Sequence, residues 1–432
     1  MKKYIFLAML CIACTCRSQE NSMLQDYRNK VREYSRDIKM AEKTSAIKSE
    51  MVRSAYADFL PTLSGSANAG YTGNPMRISK RIDGIDAPIN IEGNDTKYGA
   101  SLTIEQPIYT GGATSAKYKK AKKETELSDS ETERIMNNIT YSADVYYWNK
   151  VACGEMVIIA EKYRNSAAQL VSAVRTRVDA GYADPNDLLM AEVKLNDAEY
   201  RLAKACTEAE TARLAMNSFS GIPSEDTIAT DSIVAPLKLM PETAASMEEA
   251  MKRRPEMKSA EYGIEIQRQE AKIASAQFRP QLTVGIDGSF SSPGYDFRPD
   301  MDPNYTIYAT VHMPIFVGGK RSTTKAVGKY NIAKAEDFRQ KTEDDIRLEI
   351  ETCTYNCSEA VKKVILTESS LEKAEASEWL AMERYDEGNI SIVEAINAQI
   401  YRMEAEINHV QAKLDAQIAK SRMYKAIGTI NN

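Results

Sequence analysis

An internal duplication limits the folds open to this chain more than any other feature. Pro107, Ile108, Gly111, Gly112 and Ser115, in PIYTGGATS, align with Pro314, Ile315, Gly318, Gly319 and Ser322, in PIFVGGKRS, at one fixed offset. The register then continues without a gap. Arg177, Gly181, Ala191, Ala198 and Glu199 match Arg384, Gly388, Ala398, Ala405 and Glu406, and Asp187 faces Glu394. Upstream of the glycines a different offset pairs Ala41, Glu42, Ala55, Ala57, Phe59, Pro61 and Leu63 with Ala260, Glu261, Ala274, Ala276, Phe278, Pro280 and Leu282. The halves therefore differ by one insertion, carried in TGNPMRISKRIDGIDAPINIEGND. Such a chain is built from two copies of one supersecondary unit.

Each half reads as helix, two strands, a very long helix, a sharp turn and a second helix. In the second half Leu282, Val284, Ile286 and Phe290 alternate with polar or small residues, as do Tyr305, Ile307, Ala309 and Val311. In the first half the same period runs through Leu63, Ala67, Ala69 and Tyr71, and through Tyr98, Ala100, Leu102 and Ile104 opposite Gly99, Ser101, Thr103 and Glu105. The strands are expected at about 62–72, 96–106, 281–290 and 304–316. Their length suits a tilted strand crossing the hydrocarbon layer of a bilayer, with SSPGYDFRPDMDPN as a connecting loop. Alternation alone also fits a soluble sheet.

After each glycine pair the chain runs roughly seventy residues without proline; at ~1.5 Å per residue that is a helix of about 100 Å, longer than a globular core requires. Long helices are expected at about 112–180 and 319–387, each followed by a second helix, at about 184–219 and 391–428. In 184–219 an unbroken seam of three- and four-residue spacings runs from Leu188, Ala191 and Leu195 to Ala212, Met216 and Phe219. The corresponding part of the second half carries two stripes. Ala395, Ala398, Ala405, Ala412, Ala416 and Ala419 form one, and Ile396, Ile400, Met403, Ile407, Val410 and Leu414 the other. Two stripes imply neighbours on two sides, as in a ring-shaped wall, although a helical bundle with a wide apolar face satisfies the same pattern. His409 interrupts the first stripe and reads as a hydrogen-bonded seam residue. Between the halves, residues 221–242 hold Pro223, Pro236 and Pro241 and read as a linker separating a first repeat, 19–220, from a second, 243–432.

At the N-terminus, Lys2 and Lys3 precede an apolar run and then small residues, the layout of a secretory signal over residues 1–18. Export of the mature chain follows. Cys14 and Cys16 are candidate lipidation sites. Cys153, Cys206, Cys353 and Cys357 lie in helical surroundings without the dense spacing of a disulfide framework, and two histidines in 432 residues leave little for a zinc site. A formal charge of −5 with no sustained basic run argues against nucleic acid as a partner. No nucleophile-base, paired-carboxylate or phosphate-loop constellation emerges, so neither catalysis nor a cofactor or metal is expected.

Together, the signal, the duplicated strand pairs joined to long helices, PIYTGG with PIFVGG, and RVDAGYADPNDLLMAE with RYDEGNISIVEAINAQ resemble the outer membrane efflux protein family, the TolC-like exit ducts, over nearly the whole mature chain. The resemblance implies a mixed α and β fold. Four transmembrane strands per protomer would join in a trimeric twelve-stranded barrel, and the long helices would form a periplasmic tunnel. It implies the outer membrane of a Gram-negative bacterium, a homotrimer in contact with outer membrane lipid, a periplasmic membrane fusion adaptor, and an inner-membrane pump of RND, ABC or MFS type. Pro107, Gly111, Gly112, Pro314, Gly318 and Gly319 would mark strand-to-helix junctions. The turns at Gly181, Tyr182, Ala183 and at Gly388, Asn389, Ile390 would form the tip that meets the adaptor. Asp187, Tyr385 and Glu394 would form the periplasmic constriction, with Ile390 and Asn397 standing where the family carries an arginine and a second acidic residue. The competing reading is an exported coiled-coil scaffold or adhesin without a pore. The faces of the strands separate the two: an apolar face of bilayer height supports the duct, polar residues on both faces the scaffold.

Overall fold

A computed structural model describes residues 22–84, 86–241, 247–294 and 300–431. The expected signal, with Cys14 and Cys16, lies outside the described residues. In chain order the elements are α1 (Ser22–Tyr34), α2 (Arg36–Ala57), β1 (Thr62–Tyr71), β2 (Arg77–Lys80), β3 (Ile89–Glu92), β4 (Thr96–Thr110), α3 (Ala113–Asp179) and α4 (Pro185–Ser220). There follow α5 (Met247–Arg253), α6 (Pro255–Ala276), β5 (Gln281–Ser292), β6 (Asp302–His312), α7 (Lys320–Asp386) and α8 (Ile392–Ala426). The chain divides into a helical unit, comprising residues up to Glu42, Ser130–Lys258 and Gln340–Asn432, and a sheet unit, comprising Lys43–Asp129 and Ser259–Arg339.

The helical unit is held by the seams. Ala191, Ala198, Ala395 and Ala416 are buried to 1% exposure or less, so these helices approach on their smallest side chains. Larger groups fill the spaces between. Tyr27, Tyr147, Trp148, Met216, Val410 and Leu414 form the main cluster, and each such side chain contributes roughly 1.5–3 kcal/mol on full burial. The phenols are not left unpaired: Tyr27 donates to the Met216 carbonyl at 3.0 Å and Tyr147 to Asp231 Oδ2 at 2.7 Å. Two buried carboxylates are also matched. Asp144 takes two 2.6 Å bonds from Arg28. Glu155 accepts from Lys413 at 2.8 Å and from the Val234 amide at 3.1 Å. With Gln417 donating to the Ala235 carbonyl, these contacts tie part of the inter-repeat segment to α3 and α8.

In the sheet unit the strands pair antiparallel in the order β1-β4-β5-β6. Strand ends follow the partner rather than the strand's own residues. β4 continues past the expected residue 106 to Thr110, through a bulge between Pro107 and Tyr109 where the missing proline N–H costs no ladder bond. Pro107 thus lies inside the strand, beside the unpaired Ile108, and not at its end. β6 stops at His312, short of the expected 316, because His312 pairs with Gln281, the first residue of β5, and beyond it there is nothing to bond. Pro314 therefore lies in an irregular stretch before Gly318 and Gly319. Within the insertion β2 and β3 form a short hairpin tied by Arg77 and Glu92 at 2.6 Å.

Gly111 and Gly112 have φ of +66° and +91°, and Gly318 and Gly319 +58° and +81°. The tightest of these positions is Gly111, where a Cβ would lie 2.4 Å from the Ala276 carbonyl oxygen. The glycine there lets the end of β4 turn into α3 against α6.

Candidate functional site

The strand register sorts every side chain of the sheet onto one of two faces. On one face, rows cross all four strands: Leu63, Ile104, Ile286 and Ile307; then Gly65, Leu102, Gly288 and Tyr305; then Ala67, Ala100, Phe290 and Pro303. The opposite face reads Thr62, Glu105, Gly285 and Tyr308; then Ser64, Thr103, Asp287 and Thr306; then Ser66, Ser101, Ser289 and Asn304. The polar groups bond to one another. Tyr308 lies across Gly285 and donates to Glu105 at 2.7 Å, Thr103 donates to Asp287 at 2.5 Å, and Ser66 meets Ser101 at 2.8 Å.

The apolar face is uncovered. Leu63 is 69% exposed and Ile307 71%, with Leu102, Phe290, Tyr305 and Val311 also open. An apolar surface of this extent is stable only against lipid or another protein. Ten to twelve residues at ~3.3 Å, tilted by about 40°, give a band of about 25 Å, the height of the apolar belt of an outer-membrane barrel. No helix among the described residues is long and apolar enough to cross a membrane. Among the described residues the two outer strands, β1 and β6, each pair on one side only.

The second candidate region comprises the two turns that end the long helices. After α3, the Gly181 amide bonds to the Val178 carbonyl at 3.0 Å and that of Tyr182 to Arg177 at 2.8 Å; after α7, Gly388 bonds to Tyr385 at 2.9 Å and Asn389 to Arg384 at 2.8 Å. Both are Schellman closures with the glycine left-handed, at φ +77° and +80°. The next helices start on side-chain caps. Asp184 accepts from the Asn186 amide at 2.8 Å, with Pro185 in the first helical position. Ser391 caps α8: its hydroxyl accepts from the Glu394 amide at 3.4 Å and donates to the Glu394 carboxylate at 3.1 Å.

Of the residues assigned to the constriction, Asp187 and Tyr385 are near enough to interact electrostatically. Tyr385 is buried, at 4% exposure, in the cluster of Leu170, Val174, Ala191 and Ile392. Burial pushes its phenol above the usual range; Arg177 draws it down and Asp187 pushes it up again. Glu394 is exposed and engaged with its cap. Tyr182, Ala183 and Asn389 lie on the turns, and Ile390 packs partly against the cluster. One participant escaped the sequence reading. The Arg177 guanidinium stacks over the Tyr385 ring at 4.6 Å and its Nη2 donates to the Asp386 carbonyl at 2.6 Å. The only sequence signal was that Arg177 recurs as Arg384. His409, read as a seam residue, bonds through Nδ1 with Thr367 at 3.1 Å.

The sequence profile described as outer membrane efflux protein matches residues 28–221 and 247–429, most of the chain. The chain belongs to the outer membrane efflux protein family. Among relatives of this efflux protein is the pyoverdine export outer membrane protein OpmQ of Pseudomonas putida, 20% identical over 351 residues, which span 80% of this chain and 73% of that one. Among solved structures, the outer-membrane channel OprN superposes with a TM-score of 0.80 at 15% identity, over 95% of this chain and 90% of that one. The open-state MtrE outer membrane channel of Neisseria gonorrhoeae gives 0.80 at 17% identity, over 94% and 89%. These likenesses concern the fold. This efflux protein is an outer membrane exit duct of tripartite efflux systems, with a periplasmic helical extension; systems of that kind include an adaptor and an inner-membrane pump. The apolar rows that cross all four strands run against the scaffold reading.

Proposed function

We propose that three copies of this chain close one twelve-stranded barrel and one helical tunnel. Through them, substrates delivered by an inner-membrane pump of RND, ABC or MFS type pass without energy input at this protein. The observation that carries this reading is the four-stranded sheet, with apolar rows across one face, polar rows across the other, and outer strands β1 and β6. Open strand edges are not tolerated in hydrocarbon, and four strands cannot curl back to meet each other. Identical copies supply the missing pairings, put the apolar face on lipid, and turn the Glu105, Asp287 and Tyr308 face to the lumen.

In this assembly the turns at Gly181–Ala183 and Gly388–Ile390 form the periplasmic tip offered to the adaptor. Asp187, Tyr385 and Glu394 stand at its constriction. Carboxylates from three protomers converging on an axis repel one another and attract multivalent cations. Purified protein in planar bilayers is expected to give discrete single-channel steps that multivalent cations block, with Glu394→Gln weakening the blockade. Absence of discrete steps would overturn the duct assembly. Unchanged blockade in Glu394→Gln would remove Glu394 from the constriction while leaving the duct intact.

A further inference from the structure

Two residues after the second tip glycine stands Ile390, where the family resemblance places an arginine that would bridge to Asp187, so a residue holding this tip has to be sought elsewhere. We propose that Arg177 is that holding residue: a latch within one protomer, reaching from the end of α3 to fix Tyr385 and close the end of α7. This rests on the reading of the turns as a constricted periplasmic tip. It assigns to Arg177 a positioning role and no contact with the substrate.

Three observations point to it. First, one guanidinium makes two different contacts at once, stacking on the Tyr385 ring at 4.6 Å and donating to the Asp386 carbonyl at 2.6 Å. A planar, delocalised cation can present its face to a ring and its edge to an oxygen; an ammonium cannot do both with the same geometry. Second, Asp386 is the last residue of α7. Its carbonyl is one of the groups a helix leaves unpaired at its C-terminus, where the negative end of the dipole favours a cation. Arg177 thus caps a helix to which it does not belong. Third, the duplication supplies an internal comparison. Arg384 occupies the equivalent position in the second repeat, yet its side chain is exposed and makes no hydrogen bond or ion pair among the described residues. Two arginines of common origin have diverged, and only the one that faces Tyr385 is engaged.

The latch is also built into the turn itself. The Arg177 carbonyl accepts the Tyr182 amide at 2.8 Å, so the backbone that shapes the first tip turn carries the side chain that holds the second helix pair. Any widening that draws the end of α7 from the end of α3 breaks both side-chain contacts together.

Single-channel recording of the full chain in planar bilayers tests this, with the assembled species checked by size before recording. Arg177→Ala is expected to raise the open probability, or the conductance of the resting channel, about tenfold, as loss of a cation–π contact to a buried ring together with a charge-assisted hydrogen bond implies. Arg177→Lys, which keeps the charge and most of the packing, is expected to fall in between and covers the case in which the alanine variant does not assemble. In a Tyr385→Ala background, Arg177→Ala is expected to add less than its full effect, namely the part carried by the bond to the Asp386 carbonyl. A residue with a merely structural part would add its full effect there. Arg175→Ala, which removes an exposed ion pair to Glu192 at 2.8 Å one half-turn away, is expected to leave the resting conductance as it is. Wild-type channels with unchanged resting behaviour in both Arg177 variants, or full additivity with Tyr385→Ala, would overturn the latch. Failure of the wild-type protein to form channels at all would instead overturn the duct assembly on which it rests.

Discussion

At the residue scale the fold depends on a few positions where one atom decides the outcome. Gly111 is left-handed and a Cβ there would sit 2.4 Å from a backbone oxygen, which cannot swing away as a side-chain tip can. Gly111→Ala is therefore expected to cost upwards of about 1–3 kcal/mol, seen as a lower unfolding temperature and poorer yield of assembled protein. Asp144 presents the opposite case. It is fully buried and both its oxygens are bonded to Arg28. Asp144→Asn leaves a guanidinium mostly buried without its countercharge, and chemical denaturation should show a loss of about 3–5 kcal/mol. Arg177 shows why such positions evade a sequence reading. Its partners lie more than two hundred residues away, and nothing in the local residues tells an arginine that will stack on a buried tyrosine from its repeat mate, Arg384, which does not. Glu394 likewise reads as an acidic residue near a tip; only the bond from Ser391 shows its carboxylate engaged with the cap of α8.

At the scale of elements, much more was legible, because helix and strand periodicity are properties of the local residues. The alanine and isoleucine stripes of α8 do face packed neighbours, and the alternation in β4, β5 and β6 does divide the sheet into two faces. Element ends were legible only where a local signal marks them. Asp184 with Pro185, Ser391 with Glu394, and the two tip glycines stop and start helices by their own chemistry. The ends of β4 and β6 are set by where β5 begins, which is a fact about another strand. The β2–β3 hairpin, four residues a side, is too short for alternation to stand out.

The buried seam makes a sharp prediction. Ala198→Leu, at a fully buried position in α4, should overpack the interface and cost about 1–3 kcal/mol by thermal or chemical unfolding. The half-buried His409 in α8 adds a pH dependence. Burial, with Lys413 next, holds its pKa below the ordinary value, against the opposing pull of Glu368 and Glu155. In the window between the depressed folded value and about 6.5 the unfolded chain binds the extra proton, so His409 lowers stability as pH falls through that window. His409→Gln should accordingly lose less stability than the wild type between pH 7.5 and 5.5, measured as the shift in unfolding temperature at the two pH values.

At the scale of the whole molecule, the central fact is a sheet that is incomplete in two senses, with one face lacking an apolar environment and two edges lacking partners. The first is tested by charge. Ile286 lies in the middle of β5 on the apolar face, and Ile286→Lys should disfavour the inserted form by about 2–4 kcal/mol, read as loss of heat-resistant oligomer after reconstitution. Thr283→Lys, on the opposite face of the same strand, should be far milder, because that face meets water in the proposed barrel. The second is tested by counting copies. The mass of the natively folded particle in mild detergent or lipid nanodiscs should correspond to three chains, with β1 of each protomer paired to β6 of the next. A stable, fully folded particle with the mass of a single chain, persisting after reconstitution into lipid, would contradict the account.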